Sequence, residues 1–111
     1  MDKLTSYRTL IKEILTEYAQ FPPSHGQIEA VLIFDEERPS YQLMHIGWDR
    51  ERRVHMSAIH LRLRNNKIWI EWDGTEEGIA QRLIDAGVSK DEIVLAFLSE
   101  EKRAYTDFAV T

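Results

Sequence analysis

Ile59-His60-Leu61-Arg62-Leu63-Arg64-Asn65-Asn66-Lys67-Ile68-Trp69-Ile70-Glu71-Trp72 is the stretch that decides the fold. Apolar residues alternate with polar ones on both sides of Asn65-Asn66, the pattern of two strands. Asparagine tolerates positive φ, which both central positions of a type I′ turn require, so the pair predicts a tight hairpin. A two-residue loop there sets Leu63 opposite Ile68, Leu61 opposite Ile70 and Ile59 opposite Trp72. All six are apolar and fall on one face, called face A, whereas a one-residue slip would break every match.

Working backwards, Val54 to Arg64 reads as the whole strand, entered from a charged turn at Asp49 to Arg53. Tyr41 to Trp48 and Gln27 to Asp35 read as two more strands, joined by the polar turn Glu36-Glu37-Arg38-Pro39-Ser40. Pairing Asp49 with Arg53 sets Trp48 opposite Val54, Ile46 opposite Met56, Met44 opposite Ala58 and His45 opposite Ser57, with the apolar pairs on the second face, B. Ile28, Ala30 and Leu32 then lie beside Trp48, Ile46 and Met44. In this register the apolar surface changes face across the sheet, with Val31, Ile33 and Leu43 extending face A. Both faces therefore need cover: either three helices supply all of it, or uncovered apolar surface marks an interface and self-association as a dimer or larger assembly is expected.

At the start of the chain, Leu4, Tyr7, Leu10, Ile11, Ile14, Leu15 and Tyr18 recur at helical spacing, and Pro22-Pro23 ends the helix. Beyond the sheet, Asp73-Gly74-Thr75-Glu76-Glu77-Gly78 opens a second helix, capped by an Asp73/Glu76 box or by Thr75 alone. Its buried stripe is Ile79, Ala80, Leu83 and Ile84, and Gly87 is placed to end it in a left-handed conformation. Ile93 to Leu98 reads as a buried strand, Ser99 to Tyr105 as a short helix, and Phe108, Ala109 and Val110 as an apolar tail. The expected class is α+β: helix, four-stranded antiparallel meander, helix, fifth strand and short C-terminal helix, in a single domain over residues 1–111.

Composition narrows the function. The chain has 111 residues, no cysteine and a formal net charge of −5, with 43% hydrophobic and 30% charged residues. Disulfides, thiolate metal sites and thiol catalysis are excluded, and the acidic balance opposes direct binding of nucleic acid. No apolar stretch approaches the ~20 residues of a membrane span and no signal peptide precedes the first helix, so a cytoplasmic location is expected.

No motif of catalysis or phosphate binding is present, and no catalytic residue, cofactor or metal is expected. Asp73-Gly74-Thr75 lacks the glycine spacing and lysine of a phosphate loop, and Asp49-Arg50-Glu51-Arg52-Arg53 reads as a solvated turn. His45 and His55 fall as diagonal neighbours on face A, which leaves a small-ligand or metal site as an alternative. On face B, His60 opposes Glu71 and Arg62 opposes Trp69, with a cation–π contact between the last two. These four residues form either a solvated sheet edge or, together with Trp48 and Met56, a candidate protein-docking surface.

The ordered segments also resemble a known family. Gly47-Trp48, Arg52-Arg53-Val54, His60-Leu61, Lys67-Ile68-Trp69-Ile70-Glu71, Asp73 through Ala80, Ile93 through Phe97 and Lys102 through Val110 are similar to the XisI family, from about Leu4 to Thr111. The family comprises the fdxN element excision controlling factors, found mainly in cyanobacteria. The resemblance implies a non-enzymatic accessory role in programmed DNA excision, with a nuclease-like XisH-type partner and a separate site-specific recombinase. A neutralising role towards that partner is the other reading the resemblance allows. Arg62 stands where family members commonly carry an acid.

Overall fold

In the computed structural model, which describes residues 2–111, α1 (Lys3–Ala19) precedes a meander of β1 (Gln27–Asp35), β2 (Ser40–Asp49), β3 (Arg52–Arg64) and β4 (Lys67–Asp73). Then follow α2 (Ile79–Asp85), a 3₁₀ turn, the short β5 (Ile93–Leu95) and α3 (Glu100–Arg103). The sheet order is β1-β2-β3-β4-β5, antiparallel throughout except for the parallel pair β4–β5. This is the expected α+β order. β5 stops at Leu95 because Ala96 and Leu98 turn back, their amides donating to Val94 and Leu95.

The Asn65-Asn66 hairpin forms as the sequence requires. Both asparagines have positive φ, 54° and 62°, and Leu63 pairs with Ile68 and Leu61 with Ile70. Three local features move the rest of the register. The loop at Arg50-Glu51 is one residue shorter than expected, so Asp49 pairs with Arg52, Trp48 with Arg53 and Ile46 with His55. Ala58 is then bulged out of β3, and Leu43 pairs with Ile59. In β4 a second bulge leaves His60 opposite Trp72 and Ile59 opposite Asp73, not Trp72. In β1, Leu32 pairs with Leu43 and Ala30 with His45.

These shifts correct the expected change of face. A bulge inserts one residue and so inverts the in–out alternation beyond it. In β3 the inversion falls between Met56 and Ile59, where the apolar alternation itself changes parity. Val54, Met56, Ile59, Leu61 and Leu63 therefore all lie on face A. From β1 it is Ala30, Leu32 and Phe34 that join them, while Val31 and Ile33 turn to face B.

Face A carries the core. Tyr7, Ile11, Ile14 and Leu15 of α1 and Ile79 and Leu83 of α2 pack on Tyr41, Leu43, Ile59, Leu61, Ile68 and Ile70. Ion pairs and hydrogen bonds fasten these helices at their rims. Lys12 binds Glu36 at 2.9 Å, Arg82 binds Glu17 at 2.7 Å, Tyr7 donates to Glu92 at 2.6 Å, and Tyr18 donates to Glu77. The start of α2 is capped at a distance: Asp73 Oδ1 accepts from the Thr75 amide and hydroxyl, and Oδ2 from the Ile79 amide at 2.8 Å. Its end is a Schellman motif, with Gly87 at φ 100° donating to Ile84 and Val88 donating to Leu83.

Candidate functional site

Face B has a different fate along its width. At the β4–β5 end the C-terminal segment covers it, with Val94 fully buried and bridged to Ala109. Trp69 is buried there beneath two guanidinium groups, Arg64 at 4.7 Å and Arg103 at 5.5 Å from its ring centre. Its indole N–H donates to Arg64 O at 2.9 Å. Arg103 donates onward to the carbonyls of Leu95, Ala96, Leu98 and Val110, tying β5 to the last residues.

Over β1, β2 and the middle of β3, nothing among the described residues covers face B. The register places Val31, Ile33, Met44, Ile46 and Trp48 together there, followed by His60, Arg62, Glu71 and Trp72 towards β4. Ile33, Trp48 and Trp72 are large apolar side chains exposed at 45%, 49% and 51%. Arg53 stacks on the Trp48 ring at 5.3 Å and Arg62 pairs with Glu71 at 3.3 Å, so the apolar strip is bordered by charge. Isolated apolar residues on a surface need no explanation, but a contiguous strip with a polar border has the anatomy of an interface.

Of the expected docking residues, His60, Arg62, Trp69, Glu71 and Trp48 do lie on face B. Met56 does not: the Ala58 bulge turns it to the other side, opposite His45. Arg62 opposes Trp69 in register, but its guanidinium goes to Glu71, and Arg64 and Arg103 supply the cation–π contacts. His60 opposes Trp72 and binds Ser40 Oγ at 2.8 Å. Burial lowers its pKa below the usual 6.5, offset in part by the Glu71 charge. Val31, Ile33 and Trp72 were assigned to face A by the simple register. The adjacent apolar residues Ala58-Ile59, a break in strict alternation, were the signal of the bulge.

The His45/His55 pair does not form, because the shorter Arg50-Glu51 loop puts His55 opposite Ile46 on face B and leaves His45 on face A. His45 borders a cavity of about 180 Å³ with Tyr18, Leu43 and Glu77, and burial lowers its pKa. Among the described residues no group of three or more His, Asp or Glu side chains is arranged to hold a metal ion. No helix among them is long and apolar enough to cross a membrane.

A family model described as XisI protein matches residues 1–110. The chain belongs to the XisI family. Two crystal structures of XisI proteins from Anabaena variabilis ATCC 29413 are similar to it. One, of a XisI-like protein, is 37% identical, covers 97% of this chain and 99% of that chain, and superposes with a TM-score of 0.91. The other, of the fdxN element excision controlling factor XisI, is also 37% identical, covers 99% and 100%, and has a TM-score of 0.85. No curated protein matches the chain. The XisI fold thus spans nearly the whole sequence, with the bare part of face B on its outside.

Proposed function

We propose that this XisI-family chain is a regulatory, non-enzymatic factor of programmed DNA excision that works in the cytoplasm by binding an XisH-like protein on the uncovered part of face B. The family and the excision controlling factor among its structural neighbours support the regulatory role. The observation that carries the docking role is the strip Val31, Ile33, Met44, Ile46 and Trp48, bordered by charged and polar groups, with Trp72 exposed beyond His60. Tryptophan and arginine dominate binding energy in interfaces of this kind. The net charge of −5 suits a partner with a basic, DNA-handling surface and opposes binding of duplex DNA by this chain alone.

The test is co-expression with an XisH-like protein and co-purification of the two. The wild type is expected to form a complex, and Trp48→Ala combined with Ile46→Glu to lose it while keeping a native circular dichroism spectrum. A complex that survives both substitutions places the docking surface elsewhere. Tight, salt-sensitive binding of duplex DNA by the isolated chain would overturn the indirect mechanism.

A further inference from the structure

The two edges of the sheet are treated differently. β5 is three residues long, and its outer side is engaged by the Val94–Ala109 bridge. β1 is nine residues long, Gln-Ile-Glu-Ala-Val-Leu-Ile-Phe-Asp, and pairs only with β2. Among the described residues, no β1 backbone group outside that ladder has a backbone or side-chain hydrogen-bond partner. Natural edge strands are usually shielded by lysine, proline, a bulge or a covering loop. β1 contains no lysine or proline, and its register with β2 is unbroken from Gln27 to Asp35.

We infer that β1 is the dimerisation edge of this protein, pairing antiparallel with β1 of a second copy about a two-fold axis through Val31. The sequence of the strand is self-complementary in that register. Val31 meets Val31, Ala30 meets Leu32, Ile28 meets Phe34, Glu29 meets Ile33, and Gln27 meets Asp35. All nine residues of each strand are used and no like charges oppose. Neighbouring symmetric registers are worse. An axis through Glu29 sets two glutamates against each other, and an axis through Leu32 sets Asp35 against Glu29. An axis through Ala30 leaves Phe34 and Asp35 unpaired.

The dimensions of the chain agree with a missing neighbour. Its accessible surface is 6969 Å², against about 6,300 Å² for a monomer of this mass. Its radius of gyration is 14.6 Å, against about 13 Å for a compact chain of this length. A stable interface removes roughly 800 Å² per partner, similar to the excess surface. The two-fold axis stands perpendicular to the sheet, so the dimer is one continuous ten-stranded sheet. Both copies of α1 and α2 lie on one side, and two copies of the bare strip, joined at Val31, lie on the other.

Light scattering and sedimentation of the purified chain at tens of micromolar test this without any partner protein. A dimer mass is expected for the wild type, and a monomer mass overturns the inference. Val31→Lys sets two lysines opposite each other and is expected to raise the dimer dissociation constant at least about tenfold, with unfolding otherwise as in the wild type. Val31→Glu is expected to do the same. Mixing the two variants is expected to restore the dimer, since residue 31 faces its own copy. A mixture that stays monomeric, or a Val31→Lys variant that stays dimeric, overturns the register. The chain has no cysteine, so Val31→Cys offers a second reading. It is expected to oxidise to a covalent dimer, whereas Glu29→Cys is expected to cross-link with Ile33→Cys and not with itself.

Discussion

Asp73 Oδ2 accepts the backbone N–H of Ile79 at 2.8 Å, closing the five-residue loop between the last residue of β4 and the first of α2. The same carboxylate takes the Thr75 amide at 2.9 Å and the Thr75 hydroxyl at 2.6 Å, and Thr75 Oγ1 accepts the Gly78 amide at 3.1 Å. One side chain thus satisfies the first amide of α2 and orders the loop that leads into it, from outside the helix. Asp73→Ala is expected to cost about 2 kcal/mol in urea unfolding, the sum of a lost cap and unsatisfied amides. Asp73→Asn keeps one carbonyl acceptor and is expected to cost about half of that.

Arg103 performs a comparable task at the C-terminus. Its guanidinium lies over Trp69 at 5.5 Å and donates to four backbone carbonyls between Leu95 and Val110. Arg103→Ala is expected to destabilise by about 2 kcal/mol, to speed proteolysis after β5, and to shift tryptophan fluorescence to the red as Trp69 becomes wetted. Arg103→Lys is expected to recover little, because an ammonium lacks the planar set of donors that reaches those carbonyls.

Gly47 fixes the contact between β1 and β2. A Cβ there would lie 1.9 Å from Gln27 O and 2.8 Å from Ile28 Cα. The obstruction is backbone, which cannot rotate away. Gly47→Ala is expected to destabilise by about 3 kcal/mol, and hydrogen exchange should show the amides at the Gln27 end of β1 losing protection first.

Acid should weaken the fold through His60 and His45. Both have folded pKa values lowered below 6.5 by burial, so the unfolded chain takes up protons first as pH falls. Stability is therefore unaffected by these groups well above pH 6.5, falls as pH drops through 6.5, and levels off below the lowered folded values. Urea midpoints measured across that window should show the decline. His60→Gln, which still reaches Ser40, is expected to flatten part of it, and a double His45/His60 variant most of it. A variant declining as steeply as the wild type would assign the pH dependence elsewhere.

Much of the architecture was legible in residue order. Asn65-Asn66 with its apolar flanks placed β3 and β4 in register because only positive φ at both positions lets a two-residue loop follow the twist of the strands. The spacing of Tyr7, Ile11, Ile14 and Leu15 marked the buried face of α1, and Gly87 marked the end of α2. The docking residues were less legible. His60, Arg62 and Trp48 share a face, but Met56 was assigned with them because strict alternation was carried through Ala58. Arg103 was read only as part of a short helix, since no local pattern ties it to Trp69, thirty-four positions earlier in the chain.

What the sequence alone determined is the set of elements, the acidic cysteine-free chemistry and the family, because periodicity, turn residues and motif order are local properties of the chain. What only the tertiary structure decided is which side of the sheet each residue faces. That depends on where a single residue is bulged out and on how short one loop closes, and the energy settling it is long-range. Placing Ile59, Leu61 and Leu63 in the core beneath α1 outweighs keeping the β3 ladder regular. Once that side is full, no helix among the described residues covers Ile33, Ile46 and Trp48, and face B stays open over β1 and β2.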